Sequence, residues 1–234
     1  MESNFFRSSS VEQEQTQWMP VSDLMAGLMM VFLFISVSMM RYALIERDKI
    51  KEVAVAYQVT QVAIYDALVD EFRDDLVDWG AEIEKDTLTV TFQSPEINFK
   101  RGSTQLTTRY KIILSDFFPR YLHRLEPFQQ SISEVRVEGH TSSRWRRETS
   151  LDESYFRNMD LSQERTRSVL RYVYDMPEIS SYRSWIKANV AAVGLSSSKL
   201  KYKVDGQEDL DRSRRVTFRV ISNADVQIKK ILNL

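Results

Sequence analysis

QWMPVSDLMAGLMMVFLFISVSMMRY, residues 17–42, is an apolar run with one carboxylate near its start, Asp23. Within it, Pro20 to Met40 supplies 21 residues whose only ionisable group is that aspartate. At about 1.5 Å per residue a helix of this length crosses roughly 30 Å, the hydrocarbon thickness of a bilayer. The run therefore reads as one transmembrane helix at 20–40. The residues ahead of it, MESNFFRSSSVEQEQTQ, are polar and mixed in charge, and SVSMMRYALIERDK makes a poor cleavage site, so an uncleaved signal anchor is expected. That reading puts a tail, 1–19, in the cytoplasm and the rest of the chain beyond an inner membrane. The charge count runs the other way, with Arg41, Arg47, Lys49 and Lys51 after the span against Arg7 before it. Long domains, however, translocate largely regardless of flanking charge.

A carboxylate at the centre of a membrane helix costs about 2.5–3.5 kcal/mol, and less toward an interface. Two readings of Asp23 follow. Three residues inside the span, it can reach the headgroups and cap the helix with Ser22, or it can face a protein-lined cavity and exchange a proton there. One span cannot enclose such a cavity, so the second reading requires partner helices. Trp18 and Tyr42 flank the run as interfacial aromatics do, and Ala26 and Gly27 offer a surface that another helix can approach closely.

The remaining composition narrows the possibilities. With 43% hydrophobic and 28% charged residues in 234, the chain has the make-up of a folded domain with an appendage. A net charge of −1 gives no broad field for nucleic acid, although Arg144, Arg146 and Arg147 cluster around Trp145. There is no cysteine, which removes disulfides and thiol chemistry and suits an oxidising envelope compartment. The two histidines, His123 and His140, are too few and too separated for a His-rich metal cluster. No nucleophile and base pair, metal site or phosphate loop is recognisable, so no catalysis and no cofactor or metal is expected.

Arg41 to Trp79 lacks Gly and Pro, and Val55, Val62, Val69 and Leu76 recur at heptad spacing with Tyr65, Phe72 and Trp79. A helical connector, 41–84, is expected, its stripe either docking on the following domain or pairing with a second copy, with Gly80 as its stop. From DTLTVTFQ (86–93) the period becomes two, with Leu88, Val90 and Phe92 on one face of a strand. Residues 106–125 then read as a helix, 132–141 as a strand, 161–175 as a helix, 185–194 as carrying a short strand and 214–222 as a closing strand. Interleaving of this kind predicts a mixed α/β domain, α+β in kind, at 85–222, with a mixed sheet and helices on one face, followed by a tail at 223–234.

INFKRGSTQLT, VRVEGHTSS, NMDLSQERTRSVLRYV and SRRVTFRV occur in the order found in OmpA-like peptidoglycan-binding domains, and residues 88–222 resemble that family. In the family an aspartate after the GHT strand and an arginine of the N-x-x-L-S-x-x-R helix hold the diaminopimelate of the wall peptide. The resemblance assigns Thr141, Asn158 and Arg165 to that site, together with Arg214 and Arg215 of the closing N-R-R-V pattern, whose asparagine is Ser213 here. The aspartate position is Ser142. Serine cannot neutralise an ammonium, a deficit of about 1 kcal/mol or more, and Asp152 or Glu153 in the insertion RWRRETSLDESYFRN are replacement carboxylates.

An early aspartate in one span, a helical connector and this domain resemble the MotB-type stator subunits, and WMPVSDLMAGLMMVFLFI is similar to the span of that family. The short layout resembles members that serve antiphage defence. The resemblance implies an ion-driven inner-membrane motor subunit: a homodimer inside a pentameric ring of channel subunits, bound to peptidoglycan. Asp23 would carry the translocated ion, a proton rather than sodium. A flagellar stator subunit and a plain tether from membrane to wall are the alternatives.

Overall fold

The computed structural model describes residues 9–93, 98–100, 102–145 and 149–223, with side chains from residue 21 onward. The first element is a long helix, α1 (Ser9–Phe72), after which the chain forms a short helix α2 (Leu76–Trp79) and a five-stranded sheet. Two compact units meet at Val53 and Ala54. In the first, every described side chain from Val21 to Leu44 is exposed, including Leu24, Phe34 and Tyr42. Among the described residues this is the one helical stretch long and apolar enough to cross a membrane.

The second unit is a mixed α/β domain. Its strands are β1 (Ala81–Glu84), β2 (Thr89–Phe92), β3 (Ile132–His140), β4 (Val190–Gly194) and β5 (Arg215–Ser222), in the order β1-β2-β5-β3-β4. Every neighbouring pair is antiparallel except β3 with β4. The parallel pair needs a crossover, and the chain supplies it with α4 (Leu151–Tyr174) and α5 (Arg183–Asn189). Helix α3 (Thr108–Leu125) connects β2 to β3, and a last short helix α6 (Leu210–Ser213) precedes β5.

Register explains which face is covered. Val90 pairs with Phe218, Phe92 with Val216, Val137 with Phe218 and Val135 with Val220, so these residues share one face, and all are buried. Phe117 of α3 lands on it, 5.1 Å between ring centroids from both Phe92 and Phe218. Gly139 belongs to the same face through its pairing with Val216. A Cβ there would lie 2.8 Å from the Ser162 carbonyl oxygen, and one at Gly194 would lie 2.5 Å from the Gln163 nitrogen. The two glycines thus let α4 lie directly on β3 and β4. Both long helices pack on one side of the sheet, as expected from the sequence.

Several local readings shift. The buried face of the connector differs from the expected stripe: Ile64, Leu68 and Phe72, at i, i+4 and i+8, are fully buried, whereas Val62, Val69 and Leu76 are partly buried and Val55 is 60% exposed. Phe72 packs on Phe117 at 5.1 Å and on Trp79 at 5.7 Å. The helix stops at Phe72 rather than running to Trp79; Asp75 N–H bonds back to the Phe72 carbonyl, and Gly80, at φ 61, closes α2 in the left-handed region. Strand β1, AEIE, alternates Ala81 and Ile83 with two glutamates but is only four residues long and poor in strand formers. Its pairing with β2 creates it, and Leu88, expected in β2, turns the hairpin at φ 48. Helix α4 begins ten residues before the expected start at 161, where Ser150 caps it by accepting from the Glu153 N–H at 3.2 Å.

A charged cluster ties the end of α1 to α3. Arg120 donates from Nε to Glu71 at 2.6 Å and from Nη2 to Asp75 at 2.9 Å, and Arg124 bonds the same glutamate. The Arg120 guanidinium also lies 5.0 Å from the Phe72 ring centroid. Burial alone would raise the Glu71 pKa, but Arg120 and Arg124 outweigh it and hold the carboxyl below its usual range.

Candidate functional site

Where β3 ends beside the start of β5, His140 faces Arg215 across the sheet. A small cleft opens there, lined by Asn98, Phe99, Gly139, His140, Ser162, Arg165, Arg214, Arg215 and Val216. Asn98 and Phe99, at the start of the loop ahead of α3, form one wall. That loop is folded on itself by the Phe99 to Leu106 bridge and by the Thr107 N–H, which donates to the Asn98 carbonyl at 3.2 Å.

Arg165 stands on α4 and reaches this loop. Its Nε donates to the Ser103 carbonyl at 3.0 Å, and its guanidinium carbon lies 4.7 Å from the Phe99 ring centroid. No carboxylate among the described residues pairs with it, and its two Nη groups make no hydrogen bond to a described residue. Burial, and then the charge of Arg214, push its pKa down to about 10, so it remains a cation at neutral pH. A charged guanidinium with a free donor edge in a cleft fits a carboxylate, which it can grip through two parallel bonds.

The two other arginines are differently employed. Arg214 bonds Asp211 and donates from Nε to the Leu210 carbonyl at 2.9 Å, so its donors are already engaged. Arg215 is buried and donates to the Arg212, Ser213 and Lys199 carbonyls at 3.1–3.3 Å, which closes the end of β5 against the loop before it. His140 is buried with neither ring nitrogen hydrogen-bonded among the described residues, and its nearest acid is Glu138 at 3.6 Å. Burial lowers its pKa, and nearby Arg215 adds to this, against the opposing pull of Glu138.

Beside the cleft, the turn after β3 is held from three sides. The Thr141 N–H donates to the Ser196 carbonyl at 2.8 Å, and the buried Asn158 side chain donates to the Ser142 carbonyl at 3.1 Å. The Ser143 N–H donates to Glu208 Oε1 at 2.9 Å, and the Ser143 hydroxyl bonds the other carboxylate oxygen. Of the residues assigned from sequence, Arg165, Arg214 and Arg215 thus come together in the cleft, while Thr141 and Ser142 form the adjoining turn, held by Asn158 of α4. Asp23 lies in the first unit, on α1. Glu153 is engaged on its own helix with Arg157 at 2.8 Å, and Asp152 shares that first turn. Arg144 is exposed, and Arg146 and Arg147 lie outside the described residues.

Sequence reasoning missed Phe99 and Glu208. Phe99 stood inside a recognised motif but carries no charge to mark it. Glu208 lies in a loop without periodicity, and only the fold brings it to Ser143.

The OmpA family model matches residues 98–215, the span that contains every residue lining the cleft but Val216. Zorya protein ZorB from Escherichia coli is 55% identical over 221 residues, covering 94% of each chain. Among solved structures, a MotB-like protein from Desulfovibrio vulgaris aligns with 73% of this chain and 94% of its own at 17% identity, TM-score 0.47. The cell wall anchor of the T6SS from Pseudomonas aeruginosa aligns with 66% and 96% at 20% identity, TM-score 0.45.

Proposed function

Because the chain belongs to the OmpA family over half its length and to the ZorB proteins over nearly all of it, we propose that it is the ion-carrying, wall-anchored subunit of a Zorya antiphage motor. Residues 20–40 cross the inner membrane once, leaving 1–19 in the cytoplasm and placing the connector, 41–84, and the domain, 85–222, in the periplasm, ahead of the tail at 223–234. Two copies stand inside a ring of five ZorA-type channel subunits. Peptidoglycan holds the pair still while the ring steps.

Each step is a change of charge. A proton entering the channel neutralises Asp23 and alters how its helix packs against the ring, and release on the other side restores the carboxylate. A membrane potential supplies about 2.3 kcal/mol per charge per 100 mV, comparable to the cost of switching a packed helix interface. An anchor is needed because a torque without a fixed partner does no work.

The anchoring half of the reading rests on one observation, the charged Arg165 in an OmpA-family cleft with no acid paired to it among the described residues. It has the chemistry to take the carboxylate of a wall peptide. The test is to purify the detergent-solubilised full-length protein with its genomic neighbour, count copies by native mass spectrometry, and sediment the complex with peptidoglycan sacculi. Two copies with five partners, retained on sacculi, are expected. A lone monomer that stays in the supernatant would overturn the proposal.

A further inference from the structure

We propose that Glu208 supplies the carboxylate that recognises the ammonium group of the wall peptide's diamino acid, the task for which Ser142 lacks an acid. The inference rests on the anchoring reading above and adds to it the second pole of the ligand.

Position is the first argument. Glu208 Oε1 accepts from the Ser143 N–H at 2.9 Å, and that nitrogen is about 2.4 Å from the Ser142 Cα across the peptide unit. The Glu208 carboxylate therefore lies within about 5 Å of the Ser142 Cα, while the oxygens of an aspartate at 142 would lie roughly 3–4 Å from it. A distant residue delivers an acid to the neighbourhood that the local one vacates.

Glu208 is also held, rather than merely near. It stands on a short hairpin in which the Lys203 N–H donates to the Gln207 carbonyl at 2.8 Å and the Asp209 N–H to the Lys201 carbonyl at 2.8 Å, with Gly206 turning at φ 79. Lys201 is fixed in turn, its N–H donating to the Ser213 hydroxyl at 2.9 Å. Tyr202 and Glu208 pair across the hairpin. A recognition group on such a supported element costs little ordering on binding.

Charge is the third argument. Glu208 is half-buried, both its hydrogen bonds come from neutral donors of Ser143, and no cation among the described residues pairs with it. A carboxylate has about four acceptor sites, so two remain for an ammonium. Asp152 and Glu153, by contrast, stand in the first turn of α4, with Glu153 already on Arg157.

The two poles are linked through α4. Asn158, which holds the Ser142 carbonyl, and Arg165 are seven residues apart on that helix, two turns on one face and about 10 Å of rise. In this proposal Arg165 takes the carboxylate of the diamino acid and Glu208 its ammonium.

The test uses detergent-solubilised full-length protein and diaminopimelate-type sacculi, untreated or with their free amines acetylated. Glu208→Gln is expected to lower retention on untreated sacculi roughly tenfold, the scale of a lost charge-assisted bond. Acetylation should bring the unsubstituted protein down to the same level and leave E208Q unchanged, and adding Ser142→Asp to E208Q should restore binding to untreated sacculi. Equal retention of E208Q and the unsubstituted protein, with Arg165→Ala released, would overturn the Glu208 assignment alone. Failure of the unsubstituted protein to sediment would overturn the anchoring reading and this one with it.

Discussion

The guanidinium of Arg165 stacks on the ring of Phe99, 4.7 Å from guanidinium carbon to ring centroid, while its Nε is committed to the Ser103 carbonyl. Helix α4 and the loop ahead of α3 are thereby joined at the cleft, with the Nη edge left for a ligand. Arg165→Ala should lower sacculus retention at least tenfold. Arg165→Lys should recover only a fraction, because an ammonium neither stacks as a plane nor grips a carboxylate through two parallel bonds. Phe99→Ala should weaken binding less, since it frees the guanidinium without removing it. Sedimentation with sacculi measures all three.

Gly139→Ala should destabilise the domain. The new methyl would meet the Ser162 carbonyl oxygen at 2.8 Å, and backbone there cannot swing aside as a side chain can. Overpacking of this kind costs about 1–3 kcal/mol. A thermal melt of the purified protein should show a clear fall in midpoint.

Phe72→Ala tests whether the end of α1 belongs to the domain core. Phe72 is fully buried and contacts Phe117, Trp79 and the Arg120 guanidinium. Truncation should cost about 3–5 kcal/mol, whereas Val55→Ala, at a side chain 60% exposed, should leave the melt of an isolated copy nearly unchanged.

Glu71 predicts a dependence on acid. Burial disfavours its charge, but Arg120 and Arg124 prevail and hold its pKa below the usual carboxylate range. A carboxyl with a depressed folded-state pKa adds stability that is present above its unfolded value and is lost as pH falls through the folded one. Glu71→Gln should therefore be less stable at pH 7, by about 2 kcal/mol for a partly buried charged bond, and the gap should close as the pH falls through the lowered folded-state pKa. Melts of both proteins across that range give the comparison.

Much of this architecture could be read from residue order. The strands with apolar alternation, such as Val216, Phe218 and Val220, declare themselves because one sheet face is buried. Arg165 and Asn158 are singled out by the resemblance of their helix to the N-x-x-L-S-x-x-R motif, and both do lie on α4. Strand β1 is not, since four residues with two glutamates and an alanine carry too little strand preference and rely on pairing with β2. The same holds for the early start of α4, which depends on the Ser150 cap, and for Glu208, whose meeting with Ser143 spans 65 residues of sequence. Contacts made by long loops leave no period to detect.

Asp23→Asn bears most directly on the central claim. The substitution keeps the size and hydrogen-bonding outline of the side chain but removes the proton it would carry. Cells carrying the complete system should lose protection against phage with Asp23→Asn, while the variant still co-purifies with its channel partner in the same copy number and still sediments with sacculi. Full protection by an assembled Asp23→Asn complex would contradict the motor account and leave a tether between membrane and wall.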